Sequence, residues 1–109
     1  MGTGSSADTG AGLVQVVVRP AAAADIEDAY QWYERQRAGL GEEFLELVNR
    51  TMLAIQGQPA RFPVIHRDTR RAFLRRFPYG VFYVTQADTI VVVACMHARR
   101  DPRMWRSRG

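Results

Sequence analysis

Apolar and polar positions change their period twice along this chain, and the two changes divide it into three kinds of structure. LVQVVV at 13–18 is short and rich in β-branched residues, which predicts a strand. Arg19-Pro20 ends it, and proline suits the first turn of a helix. The period then becomes that of a helix. In AAAADIEDAYQWYERQR, Ala22, Ile26, Ala29, Tyr30 and Tyr33 recur at spacings of three and four and mark one apolar face. Asp25, Glu27 and Asp28 fall near the positive end of the helix dipole, and Gly39-Leu40-Gly41 stops the helix. EEFLELVNRTMLAIQG repeats the pattern with Phe44, Leu47, Val48, Met52 and Ile55 until Gly57 and Pro59. So short a connection makes the two helices a hairpin. After Pro63 the period drops to two. VIHR at 64–67 reads as an edge strand, followed by RRAFLRRF, YGVFYVT and TIVVVACMH, with Pro78 and Gln86-Ala87-Asp88 as punctuation.

These elements predict an α+β fold: an N-terminal strand and a two-helix hairpin packed on one face of a small antiparallel β-sheet. Counting by twos, Arg71, Phe73, Arg75 and Phe77 share one side of the first long strand, and Ala72, Leu74 and Arg76 the other. Arginine and aromatics would then alternate on the face that the helices leave open. Residues 1–12, MGTGSSADTGAG, have nothing to bury and read as a flexible leader, with residues 13–109 as a single domain.

Charge adds an asymmetry that the pattern does not show. Residues 1–60 hold four arginines against eight acidic residues, net −4, and residues 61–109 hold eleven against three, net +8, which together give the formal +4. There is no lysine, and guanidinium is the cation suited to bidentate contact with carboxylate or phosphate. Such a field favours an anionic partner without choosing among nucleic acid, acidic protein and membrane surface. Cys95 stands alone in an apolar run and reads as core filler in a reducing cytoplasm. The run around it, 90–96, is too short to cross a bilayer, so no membrane role is expected. Two histidines far from the cysteine offer no zinc spacing, and no glycine-rich phosphate loop or nucleophile elbow occurs; neither metal nor nucleotide cofactor is expected.

The strand, two helices and arginine-rich strands, taken with PAAAADIEDAYQWYERQRAGLGEEF, RRAFLRRFPYGVFYV and HARRDPRMWR, resemble the RelE/ParE superfamily of toxins from bacterial type II toxin-antitoxin modules. The resemblance runs from about residue 14 to 106 and is greatest to the ParE-type members, once called plasmid stabilisation proteins. It implies a growth-inhibiting toxin silenced by a cognate antitoxin. ParE-like relatives inhibit DNA gyrase, whereas RelE-like relatives cut mRNA on the ribosome. For metal-free RNA cleavage this chain offers Arg71 and Arg75 to hold phosphate and His97 as acid or base, with Arg99 and Arg100 nearby. Two positions depart from the ribonucleolytic pattern: Gly80 follows Tyr79 where an arginine is expected, and Trp105 stands where a catalytic tyrosine would.

These two departures favour binding over cleavage, so the leading reading is a toxin that binds DNA gyrase; the alternatives are a ribosome-dependent endoribonuclease and a toxin-like domain that only binds its antitoxin. Arg71, Arg75 and Arg76 read as the antitoxin-binding surface, against the plainer alternative of a solvated strand face ion-paired to helix acids. His97 is either functional or a strand-end histidine bonded to backbone. Arg99, Arg100, Arg103 and Trp105 read as a target-binding arm that could be removed from a folded domain, against a merely frayed end. Trp32, off the helix stripe, is a second candidate for partner contact.

Overall fold

The computed structural model describes residues 14–108, so the leader expected at 1–12 lies outside the described residues. Strand β1 (Gln15–Val18) leads into helices α1 (Pro20–Gln36) and α2 (Leu40–Gly57), and then come β2 (Val64–His66), β3 (Thr69–Phe73), β4 (Tyr79–Gln86), β5 (Thr89–His97) and a one-turn helix α3 (Arg103–Arg106). The sheet order is β1-β5-β4-β3-β2. From β2 to β5 it is the antiparallel meander that the alternating pattern predicts. β1 adds alongside β5 in parallel, Val17 opposite Val91, after a long connection through α1, α2 and the strands β2 to β4.

Both helices lie on one face, where Ala22, Ala29, Tyr33, Phe44, Val48 and Ile55 bury against Ala72, Leu74, Val81, Tyr83, Ile90, Val92 and Cys95. The hairpin is tied at its bend. Glu34 of α1 accepts the backbone N–H of Gly39 at 3.0 Å and of Gly41 at 2.9 Å, so a carboxylate from one helix caps the next. Gly39 takes φ 90, which favours glycine. Gly41 is required for space instead: a Cβ there would lie 2.7 Å from the Tyr30 ring and 2.8 Å from Glu34 Oε1. Gly41→Ala is expected to cost about 1–3 kcal/mol, read as a lowered urea midpoint; an unchanged midpoint would show that the bend has slack.

One sequence expectation is corrected. The regular strand stops at Phe73, and 74–78 is a loop in which Leu74 N–H bonds Tyr79 O at 2.9 Å and Arg76 takes φ 69. The alternation of Arg71, Phe73, Arg75 and Phe77 therefore does not survive. Arg71 and Phe73 stay on the face away from the helices, but Phe77 is buried among them. The loop breaks the two-residue count, and burying an aromatic ring outweighs continuing it.

Candidate functional site

Segments far apart in the sequence meet in one aromatic cluster. Tyr33, Phe44, Phe77 and Tyr79 pack with ring centroids 4.8 Å apart for Tyr33–Phe77, 5.4 Å for Tyr33–Phe44 and 5.3 Å for Phe44–Tyr79. Trp32 sets its edge against Tyr33 at 5.1 Å while half of its surface stays exposed. The WYE, post-GLG and FPY segments thus build one rigid block at the end of β4 and β5.

The three arginines expected to bind antitoxin take three settings. Arg71 stands on the face away from the helices, opposite Phe82, with its guanidinium over the Phe73 ring at 4.4 Å. Its stem lies across Gly80, where a Cβ would meet Arg71 Cγ at 3.0 Å; any larger residue there must displace Arg71. Arg76 reaches back to α2 and bonds Glu43 at 2.9 Å, which holds that carboxyl below its ordinary value. Arg75 is exposed and turned towards the α2 flank.

That flank carries a groove of about 390 Å³ with Leu47, Ala54, Phe62 and Phe73 as its apolar part, Thr51 beside them, and Arg50, Arg61 and Arg75 around it. A second hollow of about 330 Å³ shares Leu47, Arg50 and Arg75 and continues towards Glu43 and Arg76. Sequence reading missed Arg50 and Arg61. One belongs to a helix and the other to a loop, and only the fold brings them beside Arg75.

The proposed catalytic set is not brought together. His97 pairs with Tyr79 across the sheet, on the helix side, with ring centroids 5.4 Å apart, whereas Arg71 projects from the opposite face and Arg75 from the loop. His97 Nδ1 accepts the Arg99 backbone N–H at 3.0 Å, and its carbonyl accepts that of Arg100 at 2.9 Å. The histidine shapes a tight turn, which Ala98 N–H fastens to Pro78 O at 2.7 Å.

The tail is also corrected. Trp105 is not displayed on an arm: it is 6% exposed and stacks on Phe82 at 4.8 Å, capping the sheet face opposite the helices over Val93 and Met96. Arg103 is engaged locally by Asp101 at 2.7 Å. Arg108 locks the end, its Nη1 bonding Asp25 Oδ2 at 2.6 Å and Val93 O at 3.2 Å, while the Cys95 backbone N–H donates to the same carboxylate at 3.0 Å. Of the four tail residues, only Arg99 and Arg100 are exposed and outside the ion pairs found among the described residues. Cys95 is buried, and burial pushes its thiol up to about 12. Among the described residues no helix is long and apolar enough to cross a membrane.

Comparison with known proteins agrees with this architecture. A family model described as the ParE toxin of a type II toxin-antitoxin system, parDE, matches residues 16–102. No curated protein sequence matches the chain. A solved chain from the chromosomal ParDE TA system of P. aeruginosa has a similar fold, with TM-score 0.66 and 16% sequence identity, covering 78% of this chain and 96% of that one. At that identity the likeness speaks for the fold alone.

Proposed function

The chain belongs to the ParE toxin family of type II toxin-antitoxin systems, and we propose that it arrests growth by binding DNA gyrase in the cytoplasm and is silenced by a cognate antitoxin. The toxin unit in this reading is residues 13–109. The observation that carries a binding mechanism, rather than cleavage, is the separation of Arg71, Arg75 and His97 onto two sheet faces and a loop. Ribose activation, leaving-group protonation and phosphate stabilisation need groups converging on one phosphodiester, and these three do not converge. Family membership supports the gyrase target by analogy with its relatives.

Antitoxin binding is supported by the groove beside α2. An apolar floor ringed by Arg50, Arg61 and Arg75 suits an acidic, amphipathic segment that orders on contact, with burial and charge offsetting its ordering entropy. Of the residues expected from sequence, Arg75 lines this groove, Arg76 borders its extension and Arg71 lies on the far sheet face next to Phe73.

The test is expression without antitoxin, following plasmid topology and primer extension on cellular mRNA in the same cells. Altered topology with intact mRNA is expected, and His97→Gln at matched level is expected to stay toxic. A ribonuclease would lose about 10²–10⁴ in rate with its acid or base. Codon-phased cuts that vanish in the variant would replace this reading with the endoribonuclease.

A further inference from the structure

A second cleft lies on the other flank of the helical hairpin, and it shares no residue with the arginine groove. It encloses about 240 Å³ between α1 and the ends of β4 and β5, walled by Asp25, Asp28, Trp32, Tyr79 and Arg100, with Cys95 behind. We infer that this cleft is the surface through which the toxin grips its target, and that it takes a protein segment presenting an acidic side chain beside an apolar one. The inference rests on the toxin reading above; of the four tail residues it keeps Arg100, on the turn after β5, and it replaces Arg103 and Trp105 by Trp32 of α1 and Tyr79 of β4.

Three features carry it. The first is composition: a half-exposed tryptophan, a tyrosine and an arginine around one hollow are the residue types that dominate interface energetics. The second is preorganisation. Trp32 is braced by Tyr33, Tyr79 is held by Phe44 and His97, and the turn bearing Arg100 is fastened by Ala98 N–H to Pro78 O and by its own N–H to His97 O. Little side-chain and loop entropy is then left to lose on binding.

The third is which charges are already engaged. Asp25 is occupied by Arg108 and the Cys95 N–H, so its carboxylate is not on offer. Arg100 makes no ion pair among the described residues, and Arg99 stands next to it on the same turn. The Tyr79 phenol, with an ordinary value of about 10 that burial only raises, is an O–H donor at neutral pH. A carboxylate from the partner can take Arg100 as a bidentate donor and the Tyr79 hydroxyl as a third bond. Asp28, on the opposite wall, can accept a partner backbone N–H, and the exposed indole face covers the neighbouring apolar side chain.

The test uses Trp32→Ala and Arg100→Glu in the full chain, expressed at matched level. Each is expected to raise the dose needed for growth arrest about 30-fold or more, as loss of a hot-spot residue does. Affinity for the purified antitoxin and the unfolding midpoint should stay within a few-fold and a few degrees of wild type. Arg100→Lys should recover part of the arrest, since it keeps the charge and loses the fork. Variants that arrest growth as well as wild type, or that lose antitoxin affinity in parallel, overturn the inference, and so does a wild-type chain that arrests nothing. Supercoiling followed in the same cells separates the two claims: if growth stops through this cleft while topology is unchanged, the cleft stands and gyrase is the wrong target.

Discussion

Trp105→Ala is expected to destabilise the domain by about 3–5 kcal/mol, because the indole is nearly fully buried and its loss leaves a cavity over Phe82. For a domain whose whole stability is on the order of 5–15 kcal/mol, that is a large share. Removing residues 99–109 is expected to be worse. It uncovers Phe82, Val93 and Met96 together and deprives Asp25 of Arg108, a largely buried pair whose rupture leaves the carboxylate with only the Cys95 N–H among the described residues. The truncated chain should therefore fail to fold or aggregate, where sequence reading expected a folded, antitoxin-binding remainder. Arg103→Ala, at an exposed pair, should change stability by no more than about 0.5 kcal/mol and serves as the control. Urea titrations of these proteins decide the point: a truncated chain with a cooperative transition at the wild-type midpoint returns the tail to the status of a loose arm.

Replacing Arg50, Arg61 and Arg75 together by glutamate is expected to weaken antitoxin binding by about 10–10⁴-fold. Each exposed pair contributes about 0.2–1 kcal/mol, and reversal turns an attraction into a repulsion of similar size. Because the apolar part of the groove remains, binding should fall steeply without vanishing, and its dependence on salt should flatten. Arg50 already pairs with Glu46 at 3.0 Å, but both side chains are largely exposed and exchange that contact easily for a partner's carboxylate. Isothermal titration of the triple variant at low and moderate salt measures both quantities. Affinity equal to wild type at both salts would move the antitoxin to another surface, the sheet face around Arg71 being the next place to look.

Most of the architecture was legible because periodicity is a local property. The 3.6-residue stripes of 22–33 and 44–55, the proline that opens α1 and the alternation of 79–97 each depend on residues a few positions apart, and each element formed where its pattern lay. The chemistry was legible only as residue types. Parity along a strand predicts a shared face only while the backbone stays extended, and the loop containing Arg76 at φ 69 sent Phe77 to the core and Arg75 to the helix flank. A tryptophan among arginines has the same composition whether it projects from an arm or closes a sheet, and the choice was made by the apolar face around Phe82, which needed a cover. Likewise the placement of Arg50, Arg61 and Arg75 around one groove, and of Trp32 beside Arg100, depends on contacts between segments far apart in the chain. Such contacts are set by how helices and sheet pack, and no window of neighbouring residues contains them.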